Sequence, residues 1–218
     1  KVAVLARNKN KLENTFNNFE SALILSCDVS NYDQVNHSFE VIKRRWGRLD
    51  VLFNNAGIGL KANTPENISF KDWKRVIDIN LNGSFICAQN AFKMMKEQNP
   101  QGGRIINNGS VSSHVPRPGS SPYTTSKHAI TGLTKSISLD GRPFNIACSQ
   151  IDIGNALTDM VIKMQSGIKQ ADGSVKSEAT MDPSHVANSV FHIAQLPLDA
   201  NVQFMTVMAT SMPYIGRG

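Results

Sequence analysis

Cysteine is scarce in this chain of 218 residues: Cys27, Cys87 and Cys148 are far apart, odd in number and free of any C-x-x-C or Cys/His ligand spacing. That excludes a disulfide framework and a zinc-finger pattern, and the three read as small core residues of a reducing compartment. The five histidines are scattered as well, so no catalytic metal is expected. No apolar run approaches the roughly 20 residues needed to cross a bilayer, and no charged-then-apolar leader opens the chain. A soluble, cytoplasmic protein without a membrane partner is the expectation. Clustered basic residues are missing too. The net charge is +6 and the pI about 9.3, but the lysines and arginines are spread along the chain, which reads as a solvated face and not as a nucleic-acid footprint. There are no internal repeats and no linker, so residues 1–218 are read as one domain.

What the chain does have is a regular alternation of short apolar runs and helical periods. Val2–Ala6, Ala22–Cys27, Arg48–Phe53, Arg104–Gly109, Phe144–Gln150 and Val202–Val207 read as strands. Helices are expected through Lys11, Leu12 and Phe16, from Val35 to Trp46 with a stop at Gly47, from Tyr123 to Leu139, and from Asp182-Pro183 onward. Residues 69–95 read as one long helix with an apolar stripe of Phe70, Trp73, Ile77, Leu81 and Phe85, and Asn80 on the same side. This order implies an α/β fold: a Rossmann-like, doubly wound parallel sheet in a three-layer α/β/α sandwich. A site would then lie at the carboxyl ends of the strands.

The stretch that carries chemistry is Tyr123-Thr124-Thr125-Ser126-Lys127. On a helix, i and i+4 share a face. A phenol titrates near 10, too high for proton exchange at neutral pH. A lysine charge about 4 Å away at an effective dielectric of about 20 is worth roughly 4 kcal/mol, enough to bring the phenol near pH 7. Alone, such a pair also reads as a lysine stem packed on a surface ring. Its company is Ser110 at the end of a buried strand, Asn54-Asn55-Ala56-Gly57 after another, and Asn80 within Ile77–Gly83.

These elements, in this order, resemble the short-chain dehydrogenase/reductase family over nearly the whole chain. The resemblance implies hydride transfer between NADP(H) and a small-molecule carbonyl or secondary alcohol. Ser110 would bond the reacting oxygen, Tyr123 would act as general acid and base, Lys127 would bind the nicotinamide ribose, and Asn80 would hold a water through its backbone. Asn80 also reads simply as a buried amide bonded to backbone. For the cofactor, the resemblance assigns Asp28 and Val29 to the adenine, Asn55, Ala56 and Gly57 to the adenine ribose, and Gly154 and Thr158 to the nicotinamide, although Ile153 stands where the family usually has proline. Asp28 also reads as an N-cap of the next helix. Ala6-Arg7-Asn8 has a cation and no acid where the adenosine ribose is read, which favours NADP(H) over NAD(H); Arg7 also reads as a surface arginine. By this register the first strand and the Gly-rich phosphate loop are missing from the 218 residues, and the chain is expected to be part of a longer protein. The family implies a substrate lid over about 155–181, including Met160, Met164, Gly167 and Gly173, and a homo-oligomer, dimer or tetramer. The alternative from another class is a catalytically silent, cofactor-binding or regulatory member.

Overall fold

The computed structural model describes residues 1–158 and 167–215. Strands β1 (Val2–Ala6), β2 (Ala22–Ser26), β3 (Val51–Asn54), β4 (Gly103–Asn108), β5 (Ile146–Gly154) and β8 (Phe204–Met208) alternate with helices α1 (Lys9–Phe16), α2 (Tyr32–Trp46), α3 (Phe70–Ile77), α4 (Gly83–Glu97), α5 (Ser121–Asp140) and α6 (Pro183–Gln195). A small antiparallel hairpin, β6 (Ile168–Lys169) and β7 (Val175–Lys176), lies between β5 and α6.

The large strands pair only in parallel, in two groups: β1 with β2, and β3-β4-β5-β8. The parallel sheet expected from the sequence is present as two hydrogen-bonded segments, in keeping with the strand that the sequence reading finds missing. What joins them is packing. Ala3, Leu5, Leu23 and Leu25 of the first pair lie against the same core as Ile105 and Cys148 of the second, under Phe39 of α2 and Met95 of α4. The next residue along β4, Ile106, points to the other face and packs with Val186 and Ile193 of α6. Successive side chains of a strand alternate faces, so Ile105 and Ile106 tie helices to both sides of the sheet. Each such isoleucine contributes about 1.5–3 kcal/mol by leaving water.

The helix ends follow local chemistry. Asn31 caps α2 by accepting from Gln34 N at 3.0 Å, and Gly47 closes it in the left-handed region at φ 72°, where a side chain is costly. Asp182 caps α6, with Pro183 in its first turn. Asn31 thus takes the capping role offered to Asp28, whose carboxylate instead accepts from Ser30 N at 2.9 Å and Ser30 Oγ at 2.7 Å.

Two expectations are corrected. The helix over 69–95 is interrupted by a π-helical segment, Asp78–Asn82. The wider turn breaks the 3.6-residue period, and the predicted stripe breaks with it: Phe70 is 78% and Phe85 49% exposed, whereas Ile79 and Asn80 are buried. Strand β5 also runs past Gln150 to Gly154, with Ile153 opposite Val207 and Gly154 opposite Met208. Isoleucine, unlike proline, can keep the strand in this ladder.

Candidate active site

The carboxyl ends of β4 and β5, the start of α5 and the π-helical segment converge on one polar cluster. Ser110 follows β4 and opens a short 3-10 turn over Val111–Ser113. Its Oγ accepts from Ser112 N at 3.1 Å. That bond leaves its O–H to donate, and the hydroxyl bonds to the Tyr123 phenol. Tyr123 and Lys127 lie one turn apart on α5, as their spacing requires.

Their electrostatics differ from the expectation. Burial holds the Tyr123 phenol above its ordinary value, and the Ser110 hydrogen bond and the charge of Arg117 pull it back only in part. Lys127 Nζ donates to Asn108 O at 2.7 Å and sits 5.6 Å from the phenol ring centroid. Burial also pushes the ammonium down to about 8, against the opposing charge of Asp152. An amine engaged with a strand carbonyl, its own charge disfavoured by burial, lowers a neighbouring phenol less than an amine aimed at it would.

Asn80 is buried at 1% exposure, and its amide is fully engaged: Oδ1 accepts from Ile58 N at 2.8 Å, and Nδ2 donates to Ile58 O at 3.0 Å and Ser126 Oγ at 3.1 Å. Its carbonyl accepts from Ser84 Oγ at 2.8 Å. These contacts carry the reading of Asn80 as a buried amide bonded to backbone. The residue also lies against the lysine. Gly57 marks the meeting point, because a Cβ there would lie 3.5 Å from Asn80 Oδ1 and 3.9 Å from Lys127 Nζ.

The other residues singled out from the sequence fall in three places. Asn55 and Ala56 are exposed beside Gly57, with Asn55 Oδ1 accepting from Asn108 Nδ2 at 2.9 Å. Arg7 and Asp28 come together after β1 and β2. The Ser30 hydroxyl bond, against some burial, and then the Ser30 amide and the Arg7 charge hold the Asp28 carboxyl below its ordinary value. Val29 packs on Gly83, where a Cβ would approach Val29 Cγ2 to 2.8 Å. Gly154 closes β5 under Met208 and Met212, and a Cβ there would press on both at 2.7 Å. Thr158 is exposed. Met160 and Met164 lie outside the described residues; Gly167 precedes β6 and Gly173 lies in the turn between β6 and β7.

The sequence reading missed five residues of this cluster. Arg117 pairs with Glu178 at 2.7 Å, its side chain 13% and that of Glu178 1% exposed, and Asn155 bridges them, accepting from Arg117 at 3.0 Å and donating to Glu178 at 2.8 Å. Burial pushes the Glu178 carboxyl up, but bonds from Gln170, Asn155 and Arg117 outweigh it and hold it below its usual value. Gln150 and Asp152 are buried on β5. Their signal was present as two polar residues at alternate positions in an otherwise apolar strand. Among the described residues no group of His, Cys, Asp and Glu is arranged to hold a metal ion, and no helix is long and apolar enough to cross a membrane.

Parallel strands with helices on both faces and a Ser-Tyr-Lys cluster at their carboxyl ends define a class of protein. The family model for short chain dehydrogenase matches residues 1–169, and the chain belongs to that family. It is 35% identical over 166 residues to a 3beta-hydroxysteroid dehydrogenase of Mediterraneibacter gnavus, covering 76% of this chain and 59% of that protein. It is 32% identical over 197 residues to carbonyl reductase family member 4 of Xenopus laevis, covering 90% and 81%. The matched region is little more than half the length of the first of these curated relatives. The fold is shared with 3-ketoacyl-(acyl-carrier-protein) reductase from Brucella melitensis complexed with NADH, at a TM-score of 0.84 and 22% identity, covering 97% of this chain and 87% of that one.

Proposed function

We propose that the protein catalyses reversible hydride transfer between NADP(H) and a ketone or secondary alcohol, with Tyr123 as proton donor and acceptor. The observation that carries this reading is the Ser110 hydroxyl bonded to the part-buried Tyr123 phenol beside a buried lysine. The names of the two curated relatives, a hydroxysteroid dehydrogenase and a carbonyl reductase, support the substrate class.

The residues present suit a nicotinamide dinucleotide. Gly57 offers backbone without a side chain where Asn80 and Lys127 meet, and the ammonium keeps donors beyond the one given to Asn108 O. Arg7, exposed beside Asp28, is a planar donor suited to a 2′-phosphate. Lys127 would hold the nicotinamide ribose, Asp28, Val29 and Asn55–Gly57 the adenosine, and Gly154 and Thr158 the nicotinamide end. When bound, the cofactor supplies or takes the hydride.

The protein's own residues do the rest. A phenol held above its ordinary value is protonated at neutral pH and enters the reductive reaction as an acid. Tyr123 gives its proton to the carbonyl oxygen while the Ser110 hydroxyl donates to the same oxygen and stabilises the charge developing there. Lys127 supplies positive charge to the phenolate that forms, and Asn80 connects it towards solvent. The lid assigned to 155–181 closes over the substrate; the buried Arg117–Glu178 pair anchors it to the loop before α5. A homo-oligomer is the proposed assembly, and association would cover Phe191 on α6, an apolar side chain 61% exposed.

The test follows NADPH absorbance with a panel of aliphatic, steroid and acyl-thioester ketones. Tyr123→Phe is expected to lower turnover by about 10²–10⁴ and to leave NADPH affinity within about twofold. Retained turnover in Tyr123→Phe would remove the phenol from the mechanism, and cofactor binding without turnover of any carbonyl would favour the silent, regulatory role. Arg7→Glu is expected to weaken NADPH relative to NADH by about tenfold or more.

A further inference from the structure

Asp152 is a buried carboxylate, 1% exposed, that the proposed reaction does not consume. A carboxylate so placed must be compensated, because an unpaired charge is strongly disfavoured away from water. Its partners lie at both ends of one short turn. Oδ1 accepts from Ser110 N at 2.9 Å, at the start of the turn. Oδ2 meets His114 Nε2 at 2.9 Å, at its end, with the ring donating. Gln150 Nε2 fills the remaining side, donating to Oδ1 at 2.8 Å, and is itself held to Thr131 Oγ1 on α5 at 3.0 Å. The fit beneath the turn is close: a Cβ on Gly109 would collide with Asp152 Oδ1.

The charges around this carboxylate can be enumerated by element. The turn contributes His114, whose side chain is 42% exposed. Helix α5 contributes Lys127, which feels the charge of Asp152. Strand β5 contributes the neutral Gln150 and β8 the neutral Thr206, opposite Asp152 in register. Around Lys127 itself are Tyr123 on its own helix, Asn80 of the π-helical segment and the Asn108 carbonyl of β4. Asp152 is the charge that acts on the lysine, and Arg117 the charge that acts on the phenol.

We infer that Asp152 is a positioning residue of the site: it staples the Ser110 turn at both ends and, joined through Gln150 to Thr131 one turn after Lys127 on α5, supplies negative charge on the lysine's side of that helix. This inference rests on the reading of Ser110, Tyr123 and Lys127 as the reacting set. Two consequences separate from each other. The staple fixes the Ser110 hydroxyl against the phenol, a matter of geometry. The charge favours the ammonium form of Lys127, a matter of protonation. An asparagine keeps the shape and an acceptor for Ser110 N but loses the charge; an alanine loses both.

The experiment titrates Lys127 directly by NMR of lysine-labelled full chain, with the signal assigned through Lys127→Met, in wild type, Asp152→Asn and Asp152→Ala. Hydrogen exchange of the 109–114 amides is measured on the same samples. In Asp152→Asn the Lys127 midpoint is expected to fall by about one unit with exchange of the turn unchanged. In Asp152→Ala the midpoint falls as far, and exchange of the turn rises on the order of tenfold. Any ketone reductase activity should show the high-pH limb of kcat moving down with the lysine in both variants, while NADPH affinity at pH 6 stays within about threefold. A Lys127 midpoint unmoved in Asp152→Asn overturns the charge role, and protection of 109–114 unmoved in Asp152→Ala overturns the staple. Neither readout needs turnover, so a wild type that binds NADPH and reduces nothing would defeat the proposed activity alone. A merely structural Asp152 would lower stability without shifting the lysine.

Discussion

A buried cation lies near each end of strand β4, Arg104 on the strand itself and Lys127 reaching it from α5, and the two are handled in opposite ways. At its start, the Arg104 side chain, 1% exposed, donates to Asn201 Oδ1 at 2.8 Å and to the carbonyls of Leu196, Pro197 and Ala200 at 3.3, 3.1 and 2.8 Å. Burial pulls its pKa down, yet a guanidinium remains charged at any working pH. Near the strand's end Lys127, 4% exposed, gives one bond to Asn108 O and titrates at about 8. The two terminal nitrogens of the guanidinium bond four oxygens of the α6–β8 connection and so pin that loop, while its buried Nε has no partner among the described residues. The ammonium keeps donors in hand and a pKa near neutrality. Burial of charge thus serves architecture at one end of the strand and chemistry at the other. The residue type decides which, because only lysine can lose its proton within reach of physiological pH.

Removing each cation should separate the two roles. Lys127→Met is expected to cost turnover of the order of 10³-fold while the melting temperature holds or rises, since a disfavoured buried charge is gone. Arg104→Met should do the reverse. It takes a donor from the Leu196 and Ala200 carbonyls, whereas Asn201 Oδ1 keeps Ser149 Oγ and Pro197 O keeps Ala200 N, a loss of about 3 kcal/mol, or roughly 6–12 °C in a chain of this length. Turnover per folded molecule should stay within about twofold. Calorimetry and NADPH kinetics on the two variants decide the matter, and a crossed result, a cold-labile Lys127→Met or an inactive but stable Arg104→Met, would break the comparison.

A weaker effect sharpens it through pH. The folded-state value of Lys127, about 8, lies below its ordinary 10.5. Between those values the unfolded chain holds more protons than the folded one, so stability rises with pH across that window. Below it the penalty for burying the ammonium is present in full. Tyr123 runs the other way, because burial keeps its folded phenol protonated above its ordinary 10.0; the gain is therefore read between pH 8 and 10. Urea midpoints of wild type should climb towards those of Lys127→Met over that range. Parallel curves would show that the lysine is not neutralised within it.

The two ends of β4 were not equally legible. The i,i+4 pitch of Tyr123 and Lys127 and the strand before Ser110 could be read from spacing, because each follows from helix or strand period alone. Where Nζ points could not be, since it depends on the Asn108 carbonyl of another element. The π-helical segment Asp78–Asn82 was hidden for a related reason: a pattern search at 3.6 residues per turn has no place for a wider one, and so Phe70 and Phe85 were assigned to the core they do not enter. Arg104 was invisible as a buried charge because its compensation comes from Asn201 and Ala200, and Asp152 showed only its alternation with Gln150, because Ser110 and His114 lie on another element. No local window contains both partners.

The smallest expected effect is at Gly57, on the lysine's side of the comparison. A Cβ there would sit 3.5 Å from Asn80 Oδ1 and 3.9 Å from Lys127 Nζ, both ordinary contact distances, and Gly57 is not among the glycines with positive φ. Neither clash nor backbone strain opposes alanine, and the unfolded chain loses freedom, which favours folding by about 0.4–1 kcal/mol. Gly57→Ala should therefore fold at least as well as wild type. Its cost should appear only where the cofactor comes close, as a loss of NADPH affinity below about tenfold with the Lys127 midpoint unmoved. Isothermal titration and the lysine NMR signal test this together. A large shift of that midpoint would mean that the methyl group displaces the ammonium from Asn108 O, and that the lysine is held less firmly than its buried counterpart at the other end of the strand.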